Sequence, residues 1–231
     1  MKTFTQWTVL PHDPIERVAD NLWRVTGQLG TAQRQMILAR MRDGRVVVDN
    51  AIAMDDASMR ELEAWGEPAV LVVPNGFHRQ DAAIWKQRYP KLVVVAPPKA
   101  TKRVGKVVAV DAPVADAPGD AAVRLVALDG CGTDALLEVV SDDGVSLAFC
   151  DVVLNMPVLG GMMGLMLSPT GRVSTPRLMR WIGIHDKRAL AAHLERLAAT
   201  PGLKRLYFGH GRPVLEDAAG ALRGVVQQLT A

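Results

Sequence analysis

Three side chains that can ligate a transition metal each follow a short run of β-branched and large apolar residues. His78 lies in Phe77-His78-Arg79-Gln80-Asp81, downstream of Leu71-Val72-Val73. Asp151 directly follows Ser146–Cys150, and His210 lies in Tyr207-Phe208-Gly209-His210-Gly211. Imidazole and carboxylate are suitable ligands for zinc or iron. A residue just past the end of a strand can point into a cleft at the sheet edge, so His78, Asp151 and His210 can share one ion. Such an ion lowers the pKa of a bound water, and Asp81 can then act as general base or as a further ligand. Cys131, in Gly130-Cys131-Gly132-Thr133, offers a thiolate, which also binds zinc. Taken singly, a His or Asp after a strand is more often a turn or capping residue. The reading therefore rests on their joint arrangement.

The elements that would position these residues are legible in outline. Leu71–Val73 and Leu92–Val95 are short buried runs, and Pro74-Asn75-Gly76 break the first. Between them a helix from about Arg79 to Arg88 puts Ala82, Ala83 and Trp85 on one side, which makes a βαβ unit. Upstream, Val18–Val25 reads as a turn and then an edge strand. Gln35–Arg42 and Arg45–Asp49 read as a hairpin around Asp43-Gly44. Asp55 or Asp56 can cap a helix reaching about Ala64, with Met59 and Leu62 inward. Downstream, Val107–Val110 and Val123–Leu128 read as strands, and Ala135–Val140 with Ser146–Phe149 as a hairpin turned by Asp142-Asp143-Gly144. Arg188–Ala199 is an amphipathic helix, Leu203–Phe208 a last strand and Ala218–Leu229 a closing helix. Two β-rich blocks, each with helices, suggest an α/β (α+β) protein built as a four-layer αββα sandwich.

Composition sets the outer bounds. The chain has 231 residues, 49% hydrophobic and 22% charged, with net charge +3. No linker or charge block divides it, so one domain over residues 1–231 is expected. The weak basic balance, with no clustered patch, argues against nucleic acid. No apolar run is long enough for a membrane span, and MKTFTQWTVLPHDP lacks the apolar core of a signal peptide. Two cysteines, Cys131 and Cys150, form no disulfide framework, and a reducing cytoplasm fits them best.

The order of these pieces resembles the metallo-β-lactamase superfamily over nearly the whole chain. Asn21-Leu22-Trp23-Arg24-Val25 resembles its opening strand, and Asp43–Asp49 its second hairpin with the usual closing Asp. Ser146–Asp151 resembles the strand that delivers the metal-bridging aspartate, and Gly209-His210-Gly211 the segment that delivers the last histidine. The first motif, Thr-His-x-His-x-Asp-His, departs. Counted directly from the strand, Asn75, Phe77, Arg79 and Gln80 stand at its His, His, Asp and His. Shifted by one residue, His78 matches the second histidine and Asp81 the last position. Cys131 stands at the histidine of Gly-His-Thr. The resemblance thus implies a branch of the superfamily with degraded ligand motifs, holding one zinc or iron ion or none.

Three function classes follow. The first is a metal-dependent hydrolase of a small-molecule substrate, using His78, Asp151 and His210 as ligands and Asp81 and Asp151 in catalysis. The second is a binding protein that keeps the fold and has lost the metal chemistry. The third, a Cys-based enzyme, lacks a nucleophile motif around Cys131 or Cys150. Of the other histidines, His12 is expected exposed, His185 at a helix start capped by Asp186, and His193 on a helix boundary. The basic run Lys99–Lys106 reads as a solvated loop or helix. Met156–Leu167, with four Met and three Gly, reads as an irregular segment. It either fills gaps in the core or forms an apolar lid or contact surface beside Asp151. Arg172, Arg177 and Arg180 follow it and can meet an anionic group.

Overall fold

The computed structural model describes residues 3–30 and 32–231; the first two residues of the amino-terminal segment read above lie outside them. The chain runs β1 (Glu16–Ala19), β2 (Leu22–Leu29), β3 (Ala32–Arg40), β4 (Arg45–Asp49), α1 (Asp56–Trp65), β5 (Glu67–Val72), α2 (Ala82–Arg88), β6 (Val93–Ala96), α3 (Thr101–Val104) and β7 (Ala112–Pro113). The second half follows as β8 (Val123–Ala127), β9 (Ala135–Ser141), β10 (Gly144–Ala148), β11 (Leu154–Asn155), α4 (Gly161–Leu167), β12 (Val173–Ser174), α5 (Arg177–Ile182), α6 (Lys187–Ala198), β13 (Leu203–Tyr207) and α7 (Ala218–Thr230).

Strands β1 to β7 form one sheet in sequence order, antiparallel as far as β4 and parallel beyond it. A second sheet has the order β13-β10-β9-β8, with only β10 and β13 parallel. Period-two alternation divides the apolar residues between layers. In β4, Val46 and Val48 pack with Met59 and Leu62 of α1 and Trp85 of α2, while Val47 faces the other way. Val47 shares the space between the sheets with Val70, Val72, Leu137, Val139 and Tyr207. In β9, Leu136 turns outward to Leu190 and Leu194 of α6 and Leu222 of α7. The layers are therefore helix, sheet, sheet, helix, as the αββα expectation requires.

Four local expectations change. Strand β2 is not an edge, because β1 pairs along its outer side. Val107–Val110 is not a strand: Val108 N–H bonds back to Val104 at the end of α3, and pairing resumes only after Asp111 N–H reaches Val94. Helix α2 starts at Ala82 rather than Arg79, because the Asp81 carboxylate is held by Arg34 and by Ala53 N–H and makes no cap bond. His12 is not exposed. Its segment bridges to Gly27, and its Nε2 accepts from Asp55 N–H at 3.1 Å at the start of α1.

Two caps hold as read. Asp55 accepts from Ala57 and Ser58 N–H at the start of α1, and Asp186 from Arg188 and Ala189 N–H at the start of α6. Residues 156–167 are irregular only in their first half, since Gly161–Leu167 form α4. A Cβ on Gly164 would lie 2.1 Å from the Leu159 carbonyl oxygen, so this turn closes only with glycine there.

Candidate metal centre

Strand ends at one rim deliver the candidate ligands. The loop after β5 carries His78, the residues after β10 carry Asp151, and the residues after β13 carry His210. Parallel pairing of β10 with β13 puts the last two side by side, and Gly209 N–H bonds to the Cys150 carbonyl at 3.2 Å. Gly211 follows His210 with φ +87°, and a Cβ there would lie 2.3 Å from the Asn155 carbonyl oxygen. Only glycine lets the chain turn so closely past Asn155.

His78 Nε2 lies 3.2 Å from Asp151 Oδ2, and His210 Nε2 lies 3.8 Å from Asp151 Oδ1. One ligand atom from each of the three falls within 4.8 Å of the others. Both imidazoles are oriented through Nδ1. Asn50 donates from Nδ2 to the Gln35 carbonyl at 2.6 Å, which turns its Oδ1 toward His78. His78 Nδ1–H therefore donates to Asn50 Oδ1 at 2.9 Å. His210 Nδ1 lies 2.5 Å from the Gln33 carbonyl, which can only accept. Each ring thus holds a proton on Nδ1 and turns Nε2 to Asp151, where a second proton on His78, whose pKa is raised, donates to the carboxylate.

The carboxylate is held as firmly. Asn75 Nδ2 donates to Asp151 Oδ2 at 2.7 Å, while Asn75 Oδ1 accepts from Phe77 and His78 N–H at 2.8 and 3.1 Å. Asp134 accepts from Asp151 N–H at 3.1 Å.

Burial works against charge throughout this rim. It would push Asp151 up, but the charge and hydrogen bond of His78, with His210 and Asn75, hold that carboxyl below the ordinary range. Burial pulls His78 down, yet the charge and hydrogen bond of Asp151, with the Asp134 and Asp49 charges, together leave His78 raised. His210 is lowered by burial and by the His78 charge. Asp49 is pushed up to about 7 by burial. Asp134 is raised by burial and by the neighbouring Asp151 charge. Asp49 Oδ1 and Asp134 Oδ1 are buried without a hydrogen-bond partner among the described residues.

The remaining candidates stand apart. Asp81 is fully buried, with one oxygen on Ala53 N–H at 3.1 Å and the other on Arg34. Cys131 pairs its backbone with Ile184, and burial with the Asp134 charge raises its thiol. Cys150 is buried and raised well above the ordinary thiol range. Neither is a ready thiolate. His193 accepts from Asp129 N–H, and His185 meets Lys99. Sequence reasoning did not find Arg34, Asn50 or Asp134, which come from three separate parts of the chain with no motif to tie them. Asn75, which stands at a histidine of the first motif when counted directly from the strand, orients Asp151 instead, with Nδ2 at 2.7 Å from Oδ2.

Above the three residues a cleft of about 440 Å³ opens. Its floor includes His78, Asp151, His210 and Arg34, and its walls are apolar, among them Phe77, Leu159, Met163 and Leu178.

No protein-family model matches the chain, and no curated protein matches it. Solved structures do. A metallo-β-lactamase from Erythrobacter litoralis, with β-mercaptoethanol in its active site, aligns with TM-score 0.60 at 15% identity, over 93% of this chain and 96% of that one. The DIM-1 metallo-β-lactamase exposed to ceftazidime aligns with TM-score 0.64 at 11% identity, over 96% and 99%. The FIM-1 metallo-β-lactamase from Pseudomonas aeruginosa, in its mono-zinc form, aligns with TM-score 0.60 at 10% identity, over 95% and 96%. At these identities the likeness is one of fold, and the fold of this chain is that of the metallo-β-lactamases.

Proposed function

We propose that this protein is a metal-dependent hydrolase with a one-ion site formed by His78, Asp151 and His210, and that its two-ion constellation is depleted. The observation that carries the reading is the shared orientation of the two imidazoles. Asn50 and the Gln33 carbonyl take the Nδ1 protons, which leaves both Nε2 atoms turned to the Asp151 carboxylate. Outer hydrogen bonds of this kind fix ligand tautomers in metal sites. The donor set fits zinc or iron: two imidazoles and one carboxylate leave a position open. Asp49 and Asp134, whose ionisation burial opposes, keep unpartnered oxygens and would ionise more readily beside a bound cation. Among the described residues no second His, Cys, Asp or Glu set gathers this way.

A divalent ion held there supplies Lewis acidity and acidifies water. The protein's own groups do the rest. Asn75 and Asp134 fix the Asp151 carboxylate and backbone, and the apolar walls exclude water and receive a hydrophobic portion of the substrate. Asp81 acts through Arg34 and the Ala53 backbone as a positioning residue, since both its oxygens are engaged. The reading includes a single domain over residues 1–231 and a reducing compartment, the cytoplasm, that suits the free Cys131 and Cys150.

One observation favours the binding-protein reading instead. The His78–Asp151 contact at 3.2 Å can satisfy both groups as an imidazolium–carboxylate pair. Elemental analysis of protein purified without chelator separates the two. The hydrolase reading expects up to one equivalent of zinc or iron, lost in His210→Ala and Asp151→Ala, with hydrolysis of hydrophobic nitrophenyl esters or phosphoesters lost alongside. Absence of both metal and turnover would leave the binding protein.

A further inference from the structure

We propose that the face formed by α4 and α5 docks on an anionic lipid bilayer, with the mouth of the cleft turned to the lipid. The face is apolar to a degree unusual for a surface in water. Val158 is 83% exposed, Met162 72% and Trp181 73%, and Met163, Leu165 and Ile182 are more than 45% exposed as well. On α4 only Gly164 is buried, and Leu167 leans on the core beneath, so the helix turns most of its methionine and leucine surface outward.

The segments that build this face carry basic side chains and no acidic ones between Asp151 and Asp186. Residues 152–185 contain three arginines, Arg172, Arg177 and Arg180, and no Asp or Glu. The neighbouring segment 97–110 contains Lys99, Lys102, Arg103 and Lys106, again with no acid. The two segments meet: Lys99 and Arg103 line a small cavity with Met179 and Ile182 of α5, and Lys99 Nζ lies 3.4 Å from His185 Nδ1. Apolar side chains with an indole at their edge and basic groups around them match the hydrocarbon–headgroup boundary of an anionic bilayer. Long basic side chains can reach headgroups while their stems stay on the apolar surface. No helix among the described residues is long and apolar enough to cross a membrane, so the contact is peripheral.

A second copy of the chain is the competing occupant. A two-fold contact would set this face, whose segments carry basic and no acidic side chains, against itself, which disfavours it. The cleft adds continuity. Met163 is both a cleft wall and 59% exposed, so the apolar lining runs out onto the face without a polar rim at that point.

The test is flotation of the full chain with vesicles of phosphatidylcholine containing about 30% phosphatidylglycerol, beside pure phosphatidylcholine vesicles. Binding should be about tenfold weaker on the neutral vesicles, and weaker again in roughly 0.5 M salt. Trp181→Ala and the double variant Met162→Ser/Met166→Ser should each lower partition about tenfold. Arg172→Gln/Arg177→Gln should do so on anionic vesicles only, and Arg60→Gln, on α1, should not. The blue shift of tryptophan emission on binding should disappear in Trp181→Ala. Circular dichroism and the thermal midpoint confirm that each variant is folded. Docking does not depend on the metal reading, so His210→Ala should float like the parent whether or not that reading survives. No flotation on anionic vesicles overturns the proposal, and so does equal flotation of the face variants. A concentration-dependent dimer that Trp181→Ala disperses would overturn it in favour of a second copy.

Discussion

Asn75 donates from Nδ2 to Asp151 Oδ2 at 2.7 Å, from a position where the motif counted directly from the strand has a histidine. An amide there cannot ligate as imidazole does. It orients the carboxylate, and its oxygen gathers two backbone N–H groups, which fixes the loop that presents His78.

Asn75→Ala should therefore weaken the site and the loop together. It removes one partner from the Asp151 carboxylate and unpairs the half-buried Phe77 N–H, a lost bond worth about 1–3 kcal/mol where water cannot replace it, while His78 N–H keeps the Asn75 backbone carbonyl at 3.3 Å. Metal affinity should fall about 10–100-fold, as for other outer hydrogen-bond partners of ligands. Isothermal titration with zinc, beside chemical denaturation of metal-free protein, reads both. Unchanged affinity in a folded variant would show that Asn75 serves the loop alone.

The Arg34–Asp81 pair gives a second, independent expectation. Both side chains are buried. Arg34→Met leaves a carboxylate alone in a dry site, at a cost of about 3–5 kcal/mol. Adding Asp81→Asn should recover most of this loss, because the amide oxygen still accepts from Ala53 N–H. If the double variant also keeps any hydrolytic activity of the parent, Asp81 positions and does not act as base. Activity lost in the folded double variant would restore Asp81 as a catalytic candidate.

The layers were legible because alternation is a local signal. Val46-Val47-Val48 divides between two apolar clusters as a strand with both faces covered must. The turns Asp43-Gly44 and Asp142-Asp143-Gly144, and the caps Asp55 and Asp186, were legible because each acts within a few residues. His78, Asp151 and His210 were found by their place at strand ends. The groups that orient them were harder. Gln33 acts through its carbonyl, which any residue would supply, and Asn50 and Asp134 lie 28 residues before and 17 residues before their respective partners. The α4 turn was hidden because apolar residues surround it, so no 3.6-residue stripe appears.

Asp49 links stability to pH. Burial raises its folded-state pKa from 3.8 to about 7. A raised carboxyl favours the fold while protonated, so its contribution is full below about 3.8 and is lost as pH rises through about 7. At about 1.4 kcal/mol for each tenfold change in ionisation constant, the loss is on the order of a few kcal/mol. Asp49→Asn should remove it. With chelator present, urea midpoints at pH 4.5 and 8 should differ less in the variant than in the parent. Equal pH dependence in the two would mean that Asp49 ionises freely in the folded protein.

Metal uptake should release protons, and the two histidines set how many. Burial pulls His78 down, but the charge and hydrogen bond of Asp151, with the Asp134 and Asp49 charges, together raise it above its ordinary 6.5. His210 is lowered from 6.5 by burial and by the His78 charge. An ion can take an imidazole only without its Nε2 proton. His78 is therefore the more protonated of the two and gives up more proton on binding than His210 does. Apparent zinc affinity should fall about tenfold for each pH step of one below the His78 pKa, and more steeply once His210 protonates. Isothermal titration in two buffers of different ionisation enthalpy counts the protons directly. Near pH 6.5 the parent should release more protons than His78→Gln, which should also lose most of the affinity. Proton release that His78→Gln leaves unchanged would place the titrating group elsewhere and remove His78 from the ligand set.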